Sequence, residues 1–249
     1  VSSYPAELQM RRVDMSANGK VEVATPGGMA ASPDAPPDLD TKHITIFDTE
    51  LKQVTAKIAL PSPNDAAVSA SGDRAYVGNW VENYVSVIDT TLAQPKEIQQ
   101  LKLPPKAGGG NYVGPSSVKI SHDGKRLLTA DLGGRKFTLF DLENGTPGLS
   151  TSTKDLVHWA VFSGDDSKLL VITWSDMQIS GDEMHNTTLP SHLLIYDAKT
   201  LQLQKDVQWT ASIAHVAAPP GQPNAFVSAS FGTVLRYDGD FALTGALPV

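Results

Sequence analysis

The stretch AAVSASGDRAYVGNWVENYVSVIDT, residues 66–90, contains the strand-turn-strand pattern that decides the fold. An apolar segment runs into the turn Ser71-Gly-Asp73, a second apolar segment follows the turn, and a third is Val85-Ser-Val-Ile-Asp89. Asp and Gly tolerate the positive φ angles that tight hairpin turns require, so the pattern predicts consecutive antiparallel strands. Alternating and continuous apolar runs both occur, as in half-buried and fully buried strands.

This pattern recurs five times, and each copy contains an apolar strand that ends in Asp. The successive Asp residues lie 41, 52, 56 and 41 positions apart. A short polar turn and a further apolar segment follow each Asp, so every repeat has four strands, here named a to d in chain order. The c strands are Ile44-Thr-Ile-Phe-Asp48, Val85-Ser-Val-Ile-Asp89, Phe137-Thr-Leu-Phe-Asp141, Leu193-Leu-Ile-Tyr-Asp197 and Val234-Leu-Arg-Tyr-Asp238.

Four-stranded repeats of about 40 to 55 residues are typical of the blades of a β-propeller. We therefore predict an all-β chain, residues 1–249, that folds as one β-propeller domain with five recognisable blades. The five blades form either a complete ring or part of a seven-bladed ring. A β-sandwich or a barrel with irregular loops is the alternative fold.

The Asp at the end of strand c is predicted to be structural rather than catalytic. Its carboxylate can accept N–H groups of the c–d turn, as in an Asx turn. A residue that recurs at one position of five repeats is better explained by folding than by five active sites.

The composition narrows the classes of partner. The net charge is −7 and no run of Lys or Arg reaches three residues, which argues against nucleic acid or an anionic membrane as the main partner. No stretch approaches the roughly 18 apolar residues that indicate a membrane span. There is no cysteine, so disulfides, thiolate metal sites and a cysteine nucleophile are excluded.

The location of the protein is predicted from two features. The absence of cysteine fits a periplasmic or secreted protein, although many cytosolic proteins also lack it. The chain starts at Val1 without Met, as it would after removal of a signal peptide or after trimming. We expect a periplasmic or secreted protein.

Residues 66–90 resemble the YVTN-type propeller repeat, and the similarity extends over nearly the whole chain. The resemblance implies a propeller fold. Members of that family serve as domains of haem enzymes, dehydrogenase subunits, lactonases and surface-layer modules, and their propellers usually have seven blades. Five blades then imply a five-bladed ring, blades outside this sequence, or a partner chain that completes the propeller.

The long connections of the predicted propeller all lie on one face. Because strands alternate in direction, the d–a connections and b–c loops share this face, whereas the a–b and c–d turns share the other. The long segments are Thr25 to Lys42, Pro104 to Pro115 and Ser175 to Ser191. Long loops on one face of a rigid scaffold commonly carry function, although they also serve to cap a channel.

Histidines and tryptophans concentrate on the same face. His158 and His215 begin strand a in blades 4 and 5, beside the predicted channel, and form a candidate ligand-binding or metal-binding pair. Such a pair can ligate copper, zinc or haem iron, or hold a substrate anion, and hydrogen-bonded structural roles are the alternative. Further candidate metal ligands on this face are His185, in the loop with Asp182 and Glu183, and His192 before strand c, whereas Trp80 and Trp174 at the ends of strand b are candidate ligand-binding residues. His43 also lies before strand c on this face, and His122 lies on the opposite face.

A second similarity is to the selenium-binding protein and methanethiol oxidase propellers. It is carried by VITW at residues 171–174, SHLLIYD at 191–197 and NAFVSASFGTVLRY at 224–237, and covers about a third of the chain. The resemblance implies copper chemistry. The paired histidines that this family carries before its second blade are absent here, where residues 63–67 read PNDAA.

Two classes of function are open. The sequence contains no Gly-Xaa-Ser-Xaa-Gly elbow, no P-loop and no His-Glu-Xaa-Xaa-His motif. We therefore favour a non-catalytic binding or scaffold module that presents the long-loop face to a protein partner or a small ligand. The alternative is a metal- or cofactor-dependent oxidoreductase or hydrolase component with its site over the channel.

Overall fold

The computed structural model confirms the all-β prediction. It describes residues 12–26, 42–104, 114–144, 146–174, 191–209, 213–222, 226–230, 233–238 and 242–248, and these residues form strands and turns but no helix. Within this part of the chain, no segment qualifies as a membrane-spanning helix. Most of the three long segments predicted to carry function, including His185, lies outside the described residues.

Twenty strands make up the described residues, four for each repeat. Blade 1 holds β1 (Arg12–Met15), β2 (Val21–Thr25), β3 (His43–Asp48) and β4 (Gln53–Ala59). Blade 2 holds β5 (Pro63–Val68), β6 (Arg74–Asn79), β7 (Tyr84–Asp89) and β8 (Lys96–Lys102). Blade 3 holds β9 (Ser117–Ile120), β10 (Arg126–Asp131), β11 (Lys136–Asp141) and β12 (Thr146–Ser152). Blade 4 holds β13 (Leu156–Phe162), β14 (Lys168–Trp174), β15 (Ser191–Asp197) and β16 (Leu203–Trp209), and blade 5 holds β17 (Ile213–Ala217), β18 (Phe226–Ser230), β19 (Thr233–Tyr237) and β20 (Leu243–Pro248).

Every blade is one antiparallel sheet with its strands in chain order, a-b-c-d. The a strands of consecutive blades lie against one another, from β1 to β5, β9, β13 and β17, and so form the inner layer. The d strands are the most exposed: β4, for example, alternates mainly between exposed and half-buried residues. This arrangement confirms the four-stranded repeat unit and the assignment of strand a to the inner wall.

The Asp that ends each c strand has the structural role predicted for it. Its Oδ1 accepts backbone N–H groups of the c–d turn, for example those of Lys199 and Thr200 at Asp197, both at 2.9 Å. The N–H of Thr200 lowers the pKa of Asp197, because it stabilises the ionised carboxylate. The same type of bond occurs at Asp48, Asp89, Asp141 and Asp238.

Hydrophobic clusters fill the junctions between consecutive blades. Four clusters join blade 1 to 2, 2 to 3, 3 to 4 and 4 to 5, and each draws buried side chains from both neighbours. Among the described residues, no such cluster joins blade 5 to blade 1. Instead, Val13 and Met15 on β1 are 58% and 53% exposed, whereas the equivalent inner strand β5 of blade 2 is buried throughout.

Candidate functional site

A β-bulge shapes the start of the inner strand in blades 2, 4 and 5. In blade 4 the pairing of β13 with β14 shifts between Val157 and Trp159, so His158 is the extra residue. The same shift leaves Asn64 as the extra residue of β5 and Ala214 as that of β17. Bulges redirect side chains and are frequent beside functional sites. The bulge therefore explains why the side chain of His158 does not follow the regular alternation of side chains between the two faces of strand a.

Three of the predicted site residues come together where the long connections begin. The imidazole of His158 stacks on the indole of Trp174, with ring centroids 3.5 Å apart and planes at 17°. The His215 ring lies 6.1 Å from that of His158 and is tilted by 60°. We call His158, Trp174 and His215 the mouth cluster, because strand a starts and strand b ends on this face.

The tryptophan of the mouth cluster is held rigidly. Trp174 Nε1 donates a hydrogen bond of 2.9 Å to the carbonyl oxygen of Ile213 on blade 5. The N–H of Ile213 in turn donates to Ser191 Oγ on blade 4 at 3.0 Å. These two bonds join blades 4 and 5 at the mouth, so the surface on which His158 stacks is fixed before any ligand arrives.

A second group of side chains surrounds Trp159, next along β13. His215 meets the Trp159 ring edge to face, with centroids 4.5 Å apart. The guanidinium carbon of Arg12 and the Nζ of Lys119 lie 5.0 and 4.8 Å from the centroid of the same ring. Both distances are typical of cation–π contacts.

A buried carboxylate ties the two cations together. Asp65 Oδ2 lies 3.0 Å from Lys119 Nζ and accepts the Val118 N–H at 2.9 Å. Arg12 Nη1 lies 3.8 Å from Asp65 Oδ1 and donates to the Ser116 carbonyl at 2.7 Å. Blades 1, 2, 3 and 4 thus meet in one group of residues, which we call the inner cluster: Arg12, Asp65, Lys119 and Trp159.

The electrostatic environment keeps His215 neutral. Desolvation lowers the pKa of His215, and the positive charges of Arg12 and Lys119 lower it further, against a smaller opposite effect of Asp65. At neutral pH the ring therefore has one donor and one acceptor nitrogen. Part of the ring remains exposed and accessible to a ligand.

The other predicted site residues lie elsewhere. His192 Nδ1 pairs with Asp206 Oδ1 on strand d at 2.7 Å. Its neighbour Ser191 bonds to blade 5, so His192, one residue on in the strand, projects from the opposite face of blade 4. Trp80 follows β6 in blade 2, where its backbone bonds to Ser62 and Gly114, and blade 3 lies between it and Trp174.

The described residues do not assemble a complete set of metal ligands. Within them, no group of three or more His, Asp or Glu side chains is placed to hold one ion. His158 and His215 supply two imidazoles, and His192 is directed away from them. The metal site that also included His185 stays a prediction, because His185 lies outside the described residues.

The inner cluster was not predicted from the sequence. Its members have different residue types and lie in four different blades, so no motif links them. A positional signal does exist: Arg12, Asp65 and Trp159 each lie four residues before the Ser that starts the a–b turn. Those serines accept the N–H five residues on, for example Ser163 Oγ from Lys168, which marks an equivalent position in blades 1, 2 and 4. Lys119 lies outside this pattern, because it is only two residues before Ser121.

Comparisons with known proteins bear on the fold. No family model matches the chain, and no curated protein matches it. A solved structure of hydrazine synthase from Kuenenia stuttgartiensis, a propeller protein, matches 100% of this chain and 68% of that chain, with a TM-score of 0.73 and 18% sequence identity. At this identity the likeness shows the fold alone. Together with the five four-stranded antiparallel sheets, it shows that the chain is a β-propeller.

Proposed function

We propose that this β-propeller is a binding module that takes a small ligand at the mouth cluster. The observation that carries the proposal is the placement of two imidazoles, from His158 and His215, with centroids 6.1 Å apart beside the fixed indole of Trp174. Aromatic surface with a few convergent polar groups is the usual make-up of a small-molecule site.

The arrangement supports binding through both polar and apolar contacts. His158 is stacked on Trp174, and Trp174 is hydrogen-bonded to Ile213, so one wall of the site keeps its geometry without a ligand. Such preorganisation reduces the entropy lost on binding. His215 lies beside this surface, with its ring centroid 6.1 Å from that of His158, and offers both a donor and an acceptor in its neutral form.

Removal of either imidazole tests the proposal. Small compounds that bind the protein are first identified by ligand-observed NMR with a fragment library, and their affinities are then measured by calorimetry. We expect His158→Ala and His215→Ala to weaken binding about tenfold, since each removes a polar partner of the ligand. His192→Ala is the matched control, because His192 projects from the other face of blade 4.

Equal affinity of the fragments for the wild type and both mouth variants would contradict the binding site. The oxidoreductase alternative has a separate readout. Stoichiometric copper, iron or zinc in the purified protein, lost in both His158→Ala and His215→Ala, would support a metal-dependent enzyme component in place of a simple binding module.

A second candidate function concerns the surface of β1 in blade 1 that exposes Val13 and Met15. Val13 and Met15 expose apolar side chains on an inner strand, and among the described residues no cluster covers them. We infer that a second copy of this chain binds at this face of the propeller, because exposed apolar surfaces and sheet edges favour association with another chain. Light scattering should then give a molar mass above the 26.5 kDa of one chain, and Val13→Lys should reduce it. A monomer at every concentration would contradict this role.

A further inference from the structure

We propose that the ligand of the mouth cluster is a small organic carboxylate, whose negative charge is held by Arg12 and Lys119 beside Trp159 and which accepts a hydrogen bond from the neutral His215. This inference rests on the proposed function and adds the chemical class of the ligand. The mouth cluster provides the flat surface for the body of the molecule. The inner cluster, one layer further along the channel, provides the charge.

The first support is the convergence of two cations and one neutral imidazole on a single indole ring. Arg12 from blade 1, Lys119 from blade 3 and His215 from blade 5 all lie within 5.0 Å of the Trp159 ring. These three residues are distant in sequence, and only the propeller brings them together.

The second support is the way in which the carboxylates near the inner cluster contact its two cations. Asp65 is one carboxylate against the two cations Arg12 and Lys119. Asp14, the other carboxylate close to Lys119, accepts the Val68 N–H at 2.7 Å, and burial raises its pKa. Arg12 approaches Asp65 through Nη1 alone, at 3.8 Å, so its guanidinium keeps donors that fit the two oxygens of a carboxylate ligand.

The third support is the different exposure of the charged groups. The side chain of Asp65 is 4% exposed, whereas those of Arg12 and Lys119 are 27% and 24% exposed. The carboxylate is thus buried beneath the cations, and the cations present their remaining donors to solvent. Arg carries five N–H donors and Lys three, so their contacts with Asp65 and Ser116 leave donors for a ligand.

A purely structural ion network is the competing explanation for these contacts. In that case the cations would only neutralise Asp65 and join the blades. Their replacement would then lower stability without any effect that depends on ligand charge. The discrimination between a charged and an uncharged ligand of the same shape therefore separates the two explanations.

Benzoate and benzamide are suitable probes, because they share size and ring but differ in charge. Their binding is measured by calorimetry, and the chemical shifts of the His215 imidazole and the Trp159 indole report its position. We expect benzoate to bind at least tenfold more tightly than benzamide and to shift both signals. Lys119→Met should remove that preference, whereas Lys119→Arg should keep it.

Lys125→Met is the matched control for the loss of a lysine charge. Lys125 lies in the a–b turn on the opposite face, where it pairs with Glu143 at 3.6 Å, and its replacement should leave benzoate binding unchanged. If Lys119→Met is too unstable to measure, the benzoate–benzamide difference in the wild type decides the question alone.

Three results would overturn the assignment, and each leaves a different conclusion. Equal binding of benzoate and benzamide at the mouth would exclude the anion site while the ligand-binding role stood. Absence of benzoate binding would also exclude the carboxylate, and the fragment screen would then decide whether the mouth cluster binds any ligand. Full retention of the benzoate preference in Lys119→Met would contradict the role of the inner cluster.

Discussion

Gly164→Ala is expected to disrupt the junction between blades 4 and 5. A Cβ at this position would lie 2.0 Å from the carbonyl oxygen of Pro219 and 2.8 Å from that of Gln222, both backbone atoms of blade 5. The Gly221 N–H also donates to the Gly164 carbonyl at 2.9 Å, which fixes the two turns at this distance. Because backbone atoms cannot rotate away, we expect a loss of about 3 kcal/mol or more in the free energy of unfolding.

The damage should be greatest in blade 5. Hydrogen exchange should accelerate at β17, whose inner position depends on this junction, more than at β5 or β9. Gly245→Ala is the matched control, because no atom lies within 4 Å of the Cβ that it would add. Equal stability of the two variants in guanidinium denaturation would contradict the packing of blade 5 against blade 4.

Phe137→Ala is expected to cost about 3–5 kcal/mol, the range for large buried aromatic side chains. Phe137 is fully buried in the cluster between blades 3 and 4, and its ring meets that of Tyr196 edge to face with centroids 4.9 Å apart. The substitution leaves a cavity bounded by two β-sheets, which cannot close without a shift of a whole blade.

Denaturant unfolding of Phe137→Ala and Leu149→Ala measures this effect. Leu149 lies on the outer strand β12 and is exposed, so its replacement should change stability by less than about 0.5 kcal/mol. Similar destabilisation by the two substitutions would contradict the conclusion that packing at the junction between blades 3 and 4 stabilises the fold.

The repeated elements of the fold were predictable because each copy has a local cause. The Asp at the end of strand c binds N–H groups within the next few residues, so its role is independent of the other blades. The a–b turns are similar: Gly19 and Gly124 adopt φ angles of 73°, as their turn sequences require. Five copies of such local signals were sufficient to predict the sheets.

The composition of the site was less predictable, because side-chain direction depends on register. His158 and His192 both lie on the long-loop face of blade 4, and the sequence suggested them as members of one site. A bulge turns His158 toward Trp174, whereas regular alternation turns His192 away from the face that Ser191 presents to blade 5. Neither effect can be recognised from residue spacing.

The inner cluster depends on geometry that no single segment contains. Arg12, Asp65, Lys119 and Trp159 come from four blades, and each has an unremarkable local sequence. Their contacts exist only because the inner strands meet around the channel. A prediction of this cluster required the equivalent position in every blade as well as the order in which the blades pack.

The most direct test of the ligand site is an NMR titration. A fragment that binds the protein is added stepwise to histidine-labelled protein, and the imidazole signals are recorded at each step. We expect the His158 and His215 signals to shift together with a single dissociation constant, because the two ring centroids are only 6.1 Å apart and the proposed ligand lies against both. The signals of His122 and His192, which pair with Asp166 and Asp206 away from the mouth, should remain unchanged. A ligand that binds without any shift of His158 or His215 would contradict the mouth cluster as the binding site.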